Sequence, residues 1–89
     1  MIDKNEVYDF LIANKSAAKI FDFLIANADK NRISHGCSYL YMHDALDLSI
    51  ATISKAINLL KSKEYIIVHK SDTSHIYEIN EEIYNAFRK

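Results

Sequence analysis

The stretch LDLSIATISKAINLLKSKEYI, residues 46–66, decides the fold of this chain. Ser49 is predicted to cap a helix, because a serine oxygen accepts the early backbone N–H groups that have no partner inside a helix. Asp47 lies just before it, and aspartate tolerates the left-handed conformation that a sharp turn requires. The predicted helix ends near Glu64. Four apolar residues, at the spacing i, i+3, i+4 and i+7 of one buried helix face, form its predicted inner side: Ile53, Ala56, Ile57 and Leu60.

A second helix is predicted directly before this turn. Ser38 is its expected cap, and the helix runs through Leu46. Its apolar members are Leu40, Met42, Ala45 and Leu46. Residues 29–32, Asp-Lys-Asn-Arg, are typical of a turn. A very short strand is predicted at residues 32–34. The stretch therefore predicts two helices joined by a tight turn, with a short strand upstream.

The first third of the chain contains the sequence DFLIAN twice, at residues 9–14 and 22–27. Residues 3–14 read as a short helix, although the apolar run in it also fits a strand. Ser16 is predicted to cap a helix that runs to about Ala28. One face of that helix carries Ala17, Ile20, Phe21, Leu24 and Ala28. Asn14, Lys15 and Ser16 are expected to break the chain, so that each copy lies on its own element.

Downstream of residue 66, two runs rich in β-branched residues flank a four-residue polar turn. The runs are residues 65–70 and 75–80, and together they predict a β-hairpin. Strict alternation places Ile66 and Val68 on the same face as Tyr77 and Ile79. Asn80 is predicted to cap a last short helix, in which Glu81 and Glu82 lie near the positive end of the helix dipole. Ile83, Tyr84 and Phe87 form its apolar side.

Composition sets limits on the class of protein. Eighty-nine residues suffice for one domain with one core. No apolar run is long enough to cross a bilayer, and residues 1–6 lack the features of a signal peptide. Cys37 is the one cysteine, so a reducing, cytoplasmic location is expected. With no proline and one glycine, the chain has no phosphate-binding glycine loop.

The formal net charge of −1 hides an uneven distribution. Residues 1–48 carry five basic and seven acidic side chains, whereas residues 49–75 carry four basic and two acidic ones. The basic excess of the chain therefore lies in the predicted second helix of the pair and in the hairpin. DNA binding by a nearly neutral protein requires such a concentration of positive charge on one face.

The predicted order is helix, short strand, helix, tight turn, helix, hairpin and helix, which is the layout of a winged helix-turn-helix domain. Residues 46–66 resemble the turn and recognition helix of bacterial winged-helix regulators and plasmid replication proteins. The run from Ser16 to Asn80, which ends in Ile-Tyr-Glu-Ile-Asn, resembles the RepL-type plasmid replication family. TubR-like partition proteins and relaxosome accessory proteins of conjugative plasmids share this layout.

This resemblance implies an α+β, mostly helical fold in a single domain, residues 1–89. Residues 1–15 would be a dimerisation extension, residues 38–64 the helix-turn-helix, residues 65–80 the wing hairpin and residues 80–89 the terminal helix. The implied function is sequence-specific binding of double-stranded DNA by a plasmid or phage protein, in replication, partition, DNA transfer or transcription control. The alternative is a winged-helix module that recruits a replication or transfer enzyme without reading DNA.

Short side chains at the start of the recognition helix favour close approach to bases in the major groove. Ala51 and the Thr52 methyl suit a thymine methyl, Lys55 a guanine edge or a phosphate, and Asn58 an adenine or a sugar-phosphate contact. Ile50 departs from the look-alike proteins, where Arg or Lys is common. The predicted DNA contacts in this helix are Ser49, Ile50, Ala51, Thr52, Ser54, Lys55, Asn58 and Lys61. Those at the wing are Lys70, Ser71, Thr73, Ser74 and His75. The alternative for all of them is an ordinary solvated surface.

Both DFLIAN copies are apolar on more sides than one core requires. The surplus predicts a homodimer, since a two-fold axis buries the same patch twice and presents two recognition helices to two half-sites. Phe10 and Leu11 have no evident place in the predicted core. The expected interface residues are Val7, Phe10, Leu11, Phe23, Ile83 and Phe87. The alternative is a monomer whose own core absorbs these residues.

No catalytic or metal site is expected. His35, Cys37 and His43 superficially resemble a metal triple, but no fourth ligand follows at a regular spacing. A solvent-facing loop with a buried thiol is the preferred interpretation. No Ser/His/Asp set stands out, and the domain is too small for a sizeable substrate cleft. The sequence therefore predicts a protein without enzymatic activity, cofactor or metal.

Overall fold

The computed structural model of the chain describes residues 3–70 and 75–87. The described residues form five helices and one three-stranded antiparallel sheet. In chain order the elements are α1 (Lys4–Ala13), α2 (Lys15–Ala26), β1 (Ile33–Ser34), α3 (Tyr39–Leu46), α4 (Ile50–Ser62), β2 (Ile66–Lys70), β3 (His75–Ile79) and α5 (Glu81–Phe87). The fold is thus α+β and mostly helical, as predicted, and the order of elements is consistent with a winged-helix layout.

The pair α3 and α4 begins and turns where the sequence predicts. Ser38 Oγ accepts a hydrogen bond from the Tyr41 N–H at 3.1 Å, and Ser49 Oγ accepts one from the Thr52 N–H at 3.1 Å. Between the helices Asp47 adopts φ 56° and ψ 45°, in the left-handed region. The four residues of the predicted inner face of α4 are buried. Local sequence signals therefore determine this part of the chain.

The four apolar members of α3 differ in burial. Met42 is fully buried and Leu46 is partly buried against the core. Leu40 is 65% exposed, however, and Ala45 is also exposed. Of the four apolar members of this helix, Leu40 and Ala45 therefore do not contribute to the core. An eight-residue helix that lies over α2 and α4 turns only a narrow stripe inward, and these two residues fall outside it.

Residues 3–14 form a helix, α1, so the strand alternative is wrong for this segment. Asp3 caps α1 by accepting the Asn5 N–H at 2.9 Å. Ser16 does not cap α2, because Asn14 already occupies the N-cap position and Ser16 lies within the helix. The Asn14 side chain donates instead to the Phe10 carbonyl at 2.9 Å. α2 ends at Ala26, short of the predicted Ala28.

β3 is the central strand of the sheet, with β1 on one side and β2 on the other. The hairpin pairs Ile66 with Ile79 and Val68 with Tyr77, which confirms that these four residues share one face. On the opposite face, Glu78 lies between Arg32 and His69, at 3.6 Å and 3.0 Å. Asn80 caps α5 as predicted, since its Oδ1 accepts the N–H groups of residues 82 and 83 at 2.9 and 3.3 Å.

The core lies between the helices and the inner face of the sheet. Tyr77 is fully buried there, and burial raises the pKa of its phenol well above the ordinary value. Cys37 is buried as predicted, with its Sγ 3.1 Å from the Oγ of the buried Ser34. Within the described residues, no helix has the length and apolar character needed to cross a bilayer.

Candidate nucleic-acid interface

The outer face of α4 is the centre of the candidate interface. At about 100° per residue, four positions point away from the buried face of this helix. They are Ala51, Lys55, Asn58 and Ser62, and all four are exposed. Ala51, Ser54, Lys55, Asn58 and Leu59 line one open depression along the helix. Four of the eight predicted contact residues, Ala51, Ser54, Lys55 and Asn58, therefore lie together on one surface, with short side chains at its N-terminal end.

Ser49 and Thr52 have structural partners at that N-terminal end. Ser49 Oγ donates to Thr52 Oγ1 at 2.8 Å, while it accepts the Thr52 N–H. The Thr52 side chain is half-buried. Its hydroxyl proton is still available for donation, because the bond from Ser49 uses only a lone pair. These two residues thus fix the start of the helix, and the most accessible side chains are those of Ile50, which is 43% exposed, and Ala51.

The turn that presents α4 is held from the α3 side. The Asp47 N–H donates to the His43 carbonyl at 3.0 Å, which closes the last turn of α3. His43 Nδ1 lies 2.6 Å from the Leu48 carbonyl oxygen, which ties the ring to the start of the next segment. Since α3 and α4 also pack on each other, the orientation of α4 is fixed within the domain.

The depression on the outer face of α4 contains one lysine, Lys55, whereas Lys61 lines a separate depression beside Glu64 and β2. α4 carries Lys55 and Lys61 and no acidic residue. Lys63, just past the helix, places its ammonium 5.5 Å from the Phe10 ring centroid. Lys15, from the start of α2, lines a groove together with Lys55. The basic excess that the sequence placed in residues 49–75 is thus extended by a lysine from another helix.

Sequence reasoning missed this contribution from the start of α2. Asn14, Lys15 and Ser16 were interpreted only as a break between two helices and a helix cap. The structure places all three on the groove beside α4. The sequence offered no periodic signal for this, because the approach of the α1–α2 junction to α4 depends on how α2 packs across the domain.

Most of the contact residues predicted for the wing hairpin lie outside the part of the chain that the structure describes. Lys70 and His75 lie at the ends of the paired strands, in register with each other. Their side chains, and the whole of Ser71, Thr73 and Ser74, lie outside the described residues. The predicted wing contacts therefore stay a prediction.

The expected dimer surface needs a correction. Val7 and Ile83 are each 1% exposed within a single chain, so they belong to the core and have no surface to offer a partner. Phe10 and Leu11 are partly buried against that core, which corrects the expectation that they have no place in it. Phe10 meets the Tyr65 ring edge-on, with the ring centroids 5.5 Å apart.

Phe23 and Phe87 are also partly buried, each against an exposed tyrosine. Phe23 contacts Tyr41 at 5.8 Å between ring centroids, and Phe87 contacts Tyr8 at 4.9 Å. Some apolar surface does remain uncovered. The large apolar side chains that are most exposed among the described residues are Tyr8, Ile12, Leu40, Tyr41, Ile50 and Ile67, from 43% to 73%.

The three residues that superficially resemble a metal triple are used separately. The Cys37 thiol contacts Ser34, His35 Nε2 lies 3.3 Å from Asp29 Oδ2, and His43 contacts Leu48. Asp29 also accepts two backbone N–H groups, which lower the pKa of its carboxyl. Within residues 3–70 and 75–87, His, Cys, Asp and Glu side chains form no group of three or more that could hold a metal ion.

Comparisons with protein-family models, with curated proteins and with solved structures found no match to this chain.

Proposed function

We propose that this chain is a winged helix-turn-helix protein that binds double-stranded DNA sequence-specifically and has no catalytic activity of its own. The observation that carries the proposal is the outer face of α4, which is exposed, free of carboxylates and lined by short, lysine and asparagine side chains. A helix of this kind fits the major groove, where an asparagine amide pairs with adenine and a lysine with guanine or phosphate. The tight Asp47 turn holds the helix in place for that approach.

The biological setting is proposed from the resemblance of residues 46–66 and 16–80 to plasmid proteins. The DNA site would then be a replication origin, a partition site, a transfer origin or an operator of a plasmid or phage. Such sites are commonly repeated, and two copies of a protein read two half-sites. We therefore propose a homodimer, with the exposed Tyr8 and Ile12 side chains of α1 as its apolar surface.

The test of DNA binding uses labelled duplexes made from noncoding repeats of the genome that encodes the chain, together with shuffled duplexes of equal length. Fluorescence anisotropy at low and moderate salt should show tighter binding to one repeat than to its shuffled form. Asn58→Ala should remove about 1–3 kcal/mol of the preference for the repeat over its shuffled form, because the amide contact with a base is lost. Absence of binding to every duplex at low salt would refute the proposal.

Ala51→Glu sharpens this test with a matched control. The new carboxylate lies in the first turn of α4, where the helix dipole tolerates it, so the fold should be preserved. Its negative charge should nevertheless repel a DNA backbone and lower affinity for every duplex. Ala86→Glu is the control, since residue 86 is also exposed but lies on α5. Equal effects of the two substitutions would argue against α4 as the binding face.

A protein-interaction module is the second candidate, because Leu40 and Tyr41 expose large apolar surface on α3. This role requires no affinity for DNA. Binding of duplexes that is lost with Ala51→Glu but unchanged with Leu40→Ser would exclude the interaction module as the main function.

Sedimentation equilibrium at micromolar concentration tests the proposed homodimer, and a monomeric wild type would refute the homodimer.

A further inference from the structure

A groove of about 260 Å³ runs between the start of α2 and the side of α4. Its lining on the α2 side is Asn14, Lys15, Ser16 and Ala17, and on the α4 side Thr52, Lys55, Ala56 and Leu59. Lys55 stands on both this groove and the open depression along the outer face of α4. The groove is therefore continuous with the proposed DNA-binding surface.

The lining of the groove suits a tetrahedral anion. One lysine comes from each helix, Lys15 from α2 and Lys55 from α4, and no carboxylate is among the lining residues. Two residues with hydroxyl groups, Ser16 and Thr52, also line the groove. An ammonium group binds phosphate as a point charge, and hydroxyl groups supply directed hydrogen bonds to the same oxygens.

Within the described residues the Ser16 hydroxyl forms no hydrogen bond, and Ser16 does not cap α2. Asn14 uses one N–H of its amide to donate to the Phe10 carbonyl, at the end of α1. Lys15 and Ser16 thus form no hydrogen bond of this kind within the described residues.

We infer that this groove receives one backbone phosphate of the bound DNA, held jointly by Lys15 and Lys55. The inference rests on the proposed function and assigns Lys55 to a phosphate and not to a guanine edge. A phosphate contact fixes where the duplex lies against the protein but carries no sequence information. Lys15, in this arrangement, sets the position of α4 in the groove of the DNA, and base reading falls to Ala51 and Asn58.

The test begins with Lys15→Ala, and Lys19→Ala is the matched control. Lys19 is exposed one turn further along α2 and does not line the groove. Lys15→Ala should weaken binding to the preferred and shuffled duplexes alike, by about three- to tenfold at 0.1 M salt, with a slope of log affinity against log salt shallower by about 0.9. Lys19→Ala should change neither quantity appreciably. Circular dichroism verifies that both variants are folded.

A double-mutant cycle tests whether the two lysines share one phosphate. The Lys15→Ala/Lys55→Ala protein should lose less affinity than the product of the two single losses, because either substitution already impairs the same contact. Lys15→Ala combined with Lys61→Ala should give the full product, since Lys61 does not line the groove. Full additivity in the first pair would overturn the shared site.

Three possible outcomes of these experiments distinguish a failure of the inference from a failure of the proposed function. If no duplex binds, the proposed function itself fails, and the inference fails with it. If duplexes bind but Lys15→Ala behaves like Lys19→Ala, only the inference fails. If inorganic phosphate raises the melting temperature of the wild type but not of Lys15→Ala, while duplex affinity is the same for both, the groove is a site for a free anion and the assignment to DNA is overturned.

Discussion

The two copies of DFLIAN share every residue but not their environment. In the second copy Leu24 is fully buried, whereas the matching Leu11 is only partly buried. Ile25 packs partly against the core, whereas the matching Ile12 is 73% exposed. The cause is position, because α2 packs against α4, α3 and β3, while α1 packs mainly on α2. The same six residues are therefore expected to contribute differently to the free energy of unfolding in the two copies.

What the copies do share is local. Asn14 donates its amide to the Phe10 carbonyl at 2.9 Å, and Asn27 donates to the Phe23 carbonyl at 2.8 Å. In both cases the asparagine follows the last residue of its helix, and its side chain donates to a carbonyl in the last turn. The Phe23 carbonyl also accepts the Asn27 backbone N–H, whereas the Asn14 backbone N–H donates to the Leu11 carbonyl. The repeat thus specifies how each helix ends, and the rest of the fold determines how deeply each copy is buried.

The largest difference is expected between the two leucines. Leu24→Ala should lower the free energy of unfolding by about 2–5 kcal/mol, since it removes a fully buried side chain and leaves a cavity. Leu11→Ala should cost roughly half as much or less, because solvent already reaches its side chain. Urea unfolding followed by circular dichroism measures both. Equal losses would mean that α1 is as much a part of the core as α2.

Phe10→Ala should cost the next largest amount, about half of the 3–5 kcal/mol of a fully buried phenylalanine. It should also change the titration of Tyr65, whose burial raises the pKa of the phenol. Because the pKa of Tyr65 is higher in the folded than in the unfolded state, its contribution to the stability of the fold is fully present below the unfolded-state pKa. That contribution is lost as the pH rises through the folded-state pKa. Removing the Phe10 ring should lower the pKa of Tyr65 toward its ordinary value, as seen in an ultraviolet titration. An unchanged titration would show that Phe10 does not shield Tyr65.

The two asparagines should behave alike if the repeat specifies helix ends. Asn14→Ala and Asn27→Ala should each lower stability by about 0.5–1.5 kcal/mol, the usual value of one such hydrogen bond. Thermal unfolding of the two variants side by side checks this. A loss confined to Asn14 would indicate that its place at the junction of two helices matters more than its hydrogen bond.

The smallest effect on stability is expected at Ile12. Ile12→Ser should change the free energy of unfolding by no more than about 0.5 kcal/mol, as is usual for an exposed position. Ile25→Ser, at the matching position, should cost clearly more because Ile25 packs against the core. Light scattering on the Ile12 variant then tests the proposed dimer, which should dissociate. A variant that stays dimeric would move the interface away from α1.

The sequence predicted best those features of the fold that depend on residues close together in the chain. The caps at Ser38, Ser49 and Asn80 and the left-handed turn at Asp47 each depend on a few bonds within one turn of chain, and all are present. The shared face of Ile66, Val68, Tyr77 and Ile79 in the hairpin followed from simple alternation. Ser16 was mistaken for a cap because Asn14, two residues earlier, is an equally good start for a helix and begins it sooner.

The features of the fold that the sequence did not predict depend on contacts between residues far apart in the chain. Leu40 has the same apolar character as Leu60, yet one is exposed and the other fully buried, and only the packing of α3 decides this. Val7 and Ile83 come from opposite ends of the chain into one core. The groove that joins Lys15 to Lys55 likewise exists only after α2 has packed on α4. Of the candidate site, the α4 face was therefore predictable from sequence and the α2 side was not.

The central place of β3 in the sheet has a consequence for the order in which the protein forms. β1 and β2 both pair with β3 and with no other described strand. During synthesis, β1 emerges about forty residues before its partner, which is several seconds at the roughly 5–20 residues per second of a ribosome. Through that interval α2, α3 and α4 are able to assemble, but Tyr77 and Ile79 are still missing from the core. The sheet is therefore completed only after β3 has been made, when this strand closes it from the middle.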